Sequence, residues 1–448
     1  MASIRAAAVA GMFYPADPRG LNAELDELLG GVEAPLPRLA FPKALVVPHA
    51  GYIYSGPVAA HAYDELAAAR GIVRRVVLLG PVHRVPVRGL AIPTAEAFAT
   101  PLGNIALDRA ALASARELPQ VMASDLAHLQ EHALEVQLPF LQRQLGEFTL
   151  APFAVGDATI AEVAQVLERL WGGPETLIVI STDLSHYHPY ARACEIDRAT
   201  LSRIASFATD LDHHEACGAT PLNGFLASAS ARGLSIKLLA ACNSGDTAGG
   251  KGQVVGYSSF ALYEPGSAVS LDQAGKTLLA IARSAIEARL FGSAGTVEAP
   301  WLRQAGATFV TLTKDGALRG CIGSLHAERP LGADVAENAI AAAFRDPRFA
   351  PLTSAEWPGV RVEVSLLSAA KPLRFADEQD LLAQLRPGED GVILECDGRR
   401  ATYLPQVWQS IGDKRQFLRE LARKAGLPDT VRLARCKLSR YRVSKWTE

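Results

Sequence analysis

Val76-Val77-Leu78-Leu79 runs straight into Gly80-Pro81-Val82-His83, and Leu177-Ile178-Val179-Ile180 into Ser181-Thr182-Asp183. A third strand, Lys43 to Val47, ends on Pro48-His49. Four consecutive apolar residues without alternation belong to a strand covered on both faces. In open α/β sheets the carboxyl ends of strands form the ligand crevice, because crossover helices bury the rest. Two imidazoles and a carboxylate delivered to one sheet edge therefore predict a buried metal or acid/base site. One strand-end histidine alone can simply cap a turn, so the set carries the argument.

Outward from these strands the pattern alternates. Helices are expected over 57–70, 108–117, 130–145, 160–170, 192–207 and 221–232, and further strands over 149–155, 235–239 and 253–263. That is a three-layer α/β unit with helices on both faces of its sheet. Glu264-Pro265-Gly266-Ser267-Ala268 breaks both periods and divides the chain into domains 1–264 and 271–448. The second part has a different texture, with helices over 272–290, 331–344 and 414–425. Hairpins turn at Asp315-Gly316 and Asp397-Gly398, and strands follow over 361–367 and 441–446. This is an α+β domain.

With 448 residues the chain is too long for one ordinary core. Lys+Arg 45 against Asp+Glu 47 leaves no positive excess to neutralise a phosphate backbone, so no nucleic-acid partner is expected. No apolar run approaches the roughly 20 residues that span a bilayer, and Met1 to Ala8 lacks the core of a secretory leader. The six cysteines are scattered without a C-x-x-C pair, so neither a disulfide framework nor a zinc ribbon is expected. A cytoplasmic protein acting on a small molecule, with no membrane association, is the natural expectation.

His49 and His83 are the first two candidate metal ligands. Asn243-Ser244-Gly245-Asp246 follows the 235–239 strand and offers Asp246 as the third. Two histidines and a carboxylate on one face of Fe(II) leave three positions for substrate and dioxygen. Cys242 is the competing third ligand, and a thiolate there favours softer metals such as copper or zinc. In Asp183-Leu184-Ser185-His186, the carboxylate fixing the imidazole tautomer makes a proton-transfer pair, while Asp183 or Ser185 capping a helix is the structural alternative. His128-Leu129-Gln130-Glu131-His132 fits the inverted zinc-protease pattern H-x-x-E-H, although Pro139 follows soon after. His132 facing substrate beside the metal fits the remaining residues better. Of Tyr14 and Tyr54, one is expected to line the pocket.

The ordered series Gly11-Met12-Phe13-Tyr14-Pro15-Ala16-Asp17, Pro48-His49-Ala50-Gly51-Tyr52, Gly80-Pro81-Val82-His83, Glu131-His132-Ala133-Leu134-Glu135, Ser181-Thr182-Asp183-Leu184-Ser185-His186-Tyr187 and Asn243-Ser244-Gly245-Asp246 resembles the Memo family. The resemblance implies the fold of class III extradiol dioxygenases, with His49 and His83 as metal ligands and Asp246 in the third ligand's place. Eukaryotic Memo proteins look to have a cysteine there, so the aspartate moves the site towards iron-dioxygenase chemistry. His132, Asp183 and His186 fall around the same pocket as catalytic residues, with His186 the base.

Leu318-Arg319-Gly320-Cys321-Ile322-Gly323-Ser324 and Ala343-Phe344-Arg345-Asp346-Pro347-Arg348-Phe349 resemble the two signature stretches of the AMMECR family. Fusion of the two is similar to the AmmeMemoRadiSam arrangement, which implies a radical SAM protein as partner. On the residues themselves, Cys321 is a candidate nucleophile activated by neighbouring arginines, or a core cysteine whose arginines pair with acids such as Glu363. The combined expectation is a non-haem Fe(II) dioxygenase-like oxidoreductase. The alternative is a non-catalytic adaptor that binds metal or peptide.

Overall fold

The apolar runs at 76–79 and 177–180 are central strands with no solvent exposure on either face. Burying each such side chain contributes roughly 1.5–3 kcal/mol, which is why these segments organise everything around them. The computed structural model describes residues 3–32, 40–267, 271–292, 295, 297–428, 431 and 433–448. They fall into two compact units, one within 3–267 and one within 271–448. Ala268 of the expected boundary lies outside the described residues.

The first unit is built on a nine-stranded mixed sheet. Its centre is four parallel strands in the order Ala44–Val47, Thr176–Ser181, Arg75–Pro81 and Thr149–Val155. Val254–Tyr263 runs antiparallel beside Ala44–Val47 and pairs in turn with Ser235–Asn243 and with the short His186–His188. Leu90–Ile92 and Val121–Ala123 close the other edge. Helices Pro18–Gly31, Tyr52–Asp64 and Leu138–Leu145 pack together, as do Arg109–Arg116, Ile160–Leu170 and Ala219–Ala231. The three-layer α/β expectation agrees with this architecture.

Two expected helices differ. The one over 57–70 begins at Tyr52 and carries Pro57 inside, then tightens into a 3₁₀ segment at Glu65–Ala69. The one over 130–145 is split into His132–Glu135 and Leu138–Leu145. The break frees Gln137, whose side chain donates to Pro48 O at 3.0 Å and accepts from Tyr63 Oη at 2.7 Å.

The second unit is α+β. Helices Leu271–Phe291 and Leu331–Phe344 cover one face of a sheet ordered Ala317–Gly323, Ala305–Lys314, Val360–Leu367, Val443–Thr447. A second sheet holds Lys371–Leu373, Lys437–Tyr441, Gly391–Cys396 and Arg399–Tyr403, with helix Lys414–Lys424 in its core. Both hairpins turn where expected: Asp315 and Gly316 have φ of 49° and 78°, Asp397 and Gly398 of 48° and 76°. Two consecutive positive φ values are what a two-residue turn needs to match strand twist. Contrary to the reading of scattered cysteines, Cys396 and Cys436 are joined by a disulfide. Neighbouring strands pair Glu395 with Lys437, which brings the adjacent cysteines together. Sequence spacing could not reveal this, because the two are 40 residues apart. No helix among the described residues is long and apolar enough to cross a membrane.

Candidate metal centre

The carboxyl ends of the central strands deliver His49, His83 and Asp183 to one place. His49 is almost wholly buried, and its main-chain N–H donates to Asp183 Oδ1 at 2.8 Å. Its Nδ1 lies 2.9 Å from Ser181 Oγ. That hydroxyl donates its one proton to Ala133 O at 2.7 Å and accepts from Gln137 Nε2 at 3.0 Å. Ser181 Oγ can therefore only accept from His49, which puts the ring proton on Nδ1 and leaves Nε2 with a bare lone pair.

Glu131 does the same for His83. Its Oε1 is 2.9 Å from His83 Nδ1, and its Oε2 accepts the His83 main-chain N–H at 2.7 Å. Ala133 N–H adds a further bond of 2.9 Å to Oε1. Burial alone would raise this carboxyl, but the His83 ring and the backbone donors outweigh it and hold it down at about 2. An ionised carboxylate only accepts, so His83 carries its proton on Nδ1 and its Nε2 is bare. A carboxylate behind an imidazole is the usual device for orienting a metal-binding histidine.

His132, the first residue of the short helix, completes a group of three. Ligand atoms of His49, His83 and His132 all lie within 4.8 Å of one another, the spacing of side chains able to hold a metal ion. Ring centroids stand 4.6–5.3 Å apart. His132 Nδ1 is buried without a hydrogen-bond partner. Burial first, and the neighbouring His49 next, lower His132 to about 4. Burial, reinforced by His83, pushes His49 well below its ordinary value. Both rings are thus neutral at pH 7, the form in which imidazole ligates.

The segment bearing Glu131 and His132 is pinned from beneath. Glu135, with no solvent exposure, pairs with Arg5 and accepts from Ala8 N, Val9 N and Tyr14 Oη at 2.7, 2.9 and 2.6 Å. Tyr14 is thereby a packing residue whose hydroxyl is spent on Glu135.

Asp183 lies against the histidines, its Oδ2 3.8 Å from His49 Nε2, and burial raises its carboxyl. His186 is half-buried, and its Nδ1 donates to Leu184 O at 2.8 Å, which leaves Nε2 as an acceptor. The tautomer is set by that carbonyl, not by Asp183. Neither Asp183 nor Ser185 caps a helix; the next one starts at Tyr190.

Asp246 is not brought to this group. It closes a 3₁₀ turn, Ser244–Asp246, by accepting from Asn243 N at 3.1 Å and from Tyr190 Oη at 2.6 Å, and it is exposed. Its strand stands two places from the His49 strand, a lateral offset of about 9–10 Å. Cys242, opposite Tyr257, is likewise outside the group. The H-x-x-E-H reading also fails geometrically. His128 and His132 are on separate short helices, and His128 Nε2 is 3.0 Å from Ala91 O.

One residue at the site escaped the sequence reading. Cys217 Sγ is 3.3 Å from His49 Nε2 and accepts from Asp183 N–H at 3.3 Å. Nothing in His213-His214-Glu215-Ala216-Cys217 singles it out.

In the second unit the arginines of the Cys321 stretch are committed to acids. Arg319 pairs with Glu356 at 3.2 Å and Arg348 with Asp346 at 2.7 Å, while Glu363 holds Lys445 at 3.0 Å. Cys321 N–H donates to Asp346 Oδ2, and Thr311 Oγ1 donates to the sulfur at 3.3 Å. The motif glycines serve packing. A Cβ on Gly320 would stand 2.1 Å from Ala342 O, and one on Gly323 2.2 Å from the Phe309 ring.

Fold and site together define an α/β protein whose sheet edge carries three histidines, His49 buried, His132 half-buried and His83 exposed, beside the buried carboxylate of Asp183. A family model described as Memo-like protein matches residues 5–261, more than half of the chain, and the chain belongs to that family. A second model, AMMECR1, matches residues 279–446. The first unit's curated relatives include a MEMO1 family protein of Aquifex aeolicus, 38% identical over 267 residues that cover 57% of this chain and 97% of the relative. Another, from Methanopyrus kandleri, is 37% identical over 284 residues, 57% of this chain and 98% of the relative. Among solved structures, an uncharacterized protein, PH0010, from Pyrococcus horikoshii aligns over 39% of this chain and 91% of its own, with 31% identity and a TM-score of 0.36.

Proposed function

We propose that the first unit is a metal-dependent oxidoreductase centre of the non-haem iron dioxygenase kind, with His49, His83 and His132 as its ligands. The observation that carries this is the pair of fixed tautomers. Ser181 and Glu131 hold the Nδ1 protons of His49 and His83, so each presents a bare Nε2. Imidazole suits iron, copper and zinc alike, and Fe(II) bound there supplies Lewis acidity and one-electron chemistry towards dioxygen. Asp183, buried beside the rings, offsets part of the ion's charge. His186 Nε2 accepts a proton from a hydroxylated substrate, and the Leu184 carbonyl holds the ring in the accepting tautomer. Phe13, with its ring 5.0 Å from that of His132, supplies an apolar wall.

A small oxygen-bearing substrate and a radical SAM partner remain part of the proposal through the family resemblance. The test is dioxygen uptake by anaerobically purified, Fe(II)-loaded protein on adding a panel of catechols. Substrate-dependent uptake, abolished in His186→Ala with iron retained, supports the reading. Stoichiometric iron without uptake on any substrate withdraws the dioxygenase assignment, and peptide or anion binding in its place favours the adaptor.

A further inference from the structure

The amino ends of the central strands frame a second cleft, at the opposite edge of the sheet from the histidines. Arg75–Pro81 and Thr149–Val155 are each 7 residues long, so roughly 20 Å separates the two edges. The cleft is open and has a volume of about 930 Å³, within the range of small-molecule sites. It lies between the start of helix Pro18–Gly31, the end of helix Leu138–Leu145 and the strand Gly103–Ala106. Phe148, Leu102 and Pro101 give it an apolar wall, and Arg70, Arg74 and Arg143 line it with guanidiniums.

These cations are poorly neutralised. Arg143 gives Nε and Nη2 to a single oxygen of Asp26, at 3.0 and 2.6 Å, and its Nη1 bonds to nothing among the described residues. Arg70 Nη2 donates to Arg143 O, and Arg74 Nη2 reaches only Gly71 O at 3.4 Å. Neither Arg70 nor Arg74 has a carboxylate partner among the described residues, and Glu147, the acid in the lining, is in no ion pair there. Arg75, the next residue in the chain, is by contrast taken by Asp108 at 2.6 Å. Burial first, and the Arg143 guanidinium next, lower Arg70 from its ordinary value. Gly146 makes room for it: its φ is 80°, and a Cβ there would stand 3.0 Å from Arg70 Nη1. Capping the carboxyl end of the helix accounts for one nitrogen of Arg70. It accounts for none of Arg74.

We infer that this cleft binds a small organic phosphate of nucleotide size, its phosphate on Arg70 and Arg74 and its apolar group on the Phe148 wall. Guanidinium forks match phosphate oxygens in pairs, and a phosphate dianion relieves the repulsion between neighbouring guanidiniums. The site uses no residue of the histidine centre, so it stands or falls independently of the oxidoreductase reading.

Calorimetric titration of the full chain with ADP, pyrophosphate and adenosine tests this. ADP should bind more tightly than either of the others, and its affinity should fall as salt rises. Arg74→Gln removes a single long bond from the fold. It should weaken ADP binding about tenfold or more, with melting temperature and zinc content as in the wild type. Arg70→Lys keeps the charge at the helix end and should also weaken ADP, because a point charge does not replace the fork. Unchanged ADP affinity in Arg74→Gln, ADP bound no better than adenosine, pyrophosphate bound as tightly as ADP, or no ADP binding at millimolar concentration overturns the inference. So does ADP binding that is lost in His49→Ala, which would place the phosphate on the metal.

Discussion

Replacing Glu131 with Gln isolates the device that prepares His83. The carboxylate accepts three bonds at once, from His83 N at 2.7 Å, His83 Nδ1 at 2.9 Å and Ala133 N at 2.9 Å, with 1% of the residue exposed. An amide has one accepting oxygen. If its NH₂ takes the Oε2 place, it faces the His83 N–H donor to donor. If it takes the Oε1 place, it faces Ala133 N–H, and His83 must change tautomer. Either orientation strands a buried backbone donor, a loss of about 1–3 kcal/mol. Loss of the orienting charge behind His83 further lowers metal affinity by about 10–100-fold, or roughly 1.4–2.8 kcal/mol. Zinc affinity by competition with a chromophoric chelator, alongside thermal unfolding, reads both effects. A Glu131→Gln protein that holds zinc within twofold of wild type and melts at the same temperature would refute the reasoning.

Three other outcomes are expected. His128 and His132, lowered to about 4 by burial, bind fewer protons folded than unfolded between that value and 6.5, so stability falls as pH drops through this window. Between pH 7 and 5 each costs on the order of 2 kcal/mol, and urea unfolding of metal-stripped protein that is flat over this range would contradict it. Gly320→Ala, with its Cβ 2.1 Å from Ala342 O, forces the strand off the helix. That costs about 1–3 kcal/mol or more, and calorimetry should show the second unit melting several degrees lower rather than unchanged. Reducing the Cys396–Cys436 bond, which closes a loop with a sequence separation of 40, should destabilise the second unit by up to about 4 kcal/mol in denaturant. An unchanged midpoint on adding reductant would count against it.

What the sequence made legible was what a one-dimensional pattern can carry. Val76 to Leu79 and Leu177 to Ile180 could only be doubly covered strands, so their ends, and with them His83 and Asp183, were readable as one edge. Asp315-Gly316 and Asp397-Gly398 announced their turns because few residues accept two positive φ values in a row. Lateral position was not legible. Asp246 follows a strand that points the right way, but that strand lies beyond Val254–Tyr263, and its carboxylate is spent on its own turn. Roles set by hydrogen bonds were also hidden. Glu131 looked like half of a protease motif and proves to be the partner of His83. Cys217 meets His49 across a sequence separation of 168, a contact no local pattern encodes.

His132, and not Asp246, stands with His49 and His83. Iron and zinc content of His49→Ala, His83→Ala, His132→Ala and Asp246→Ala proteins, purified without oxygen and reconstituted identically, tests it most directly. Each histidine variant should lose tight stoichiometric metal while Asp246→Ala keeps it. Metal retained in His132→Ala and lost in Asp246→Ala would contradict the account.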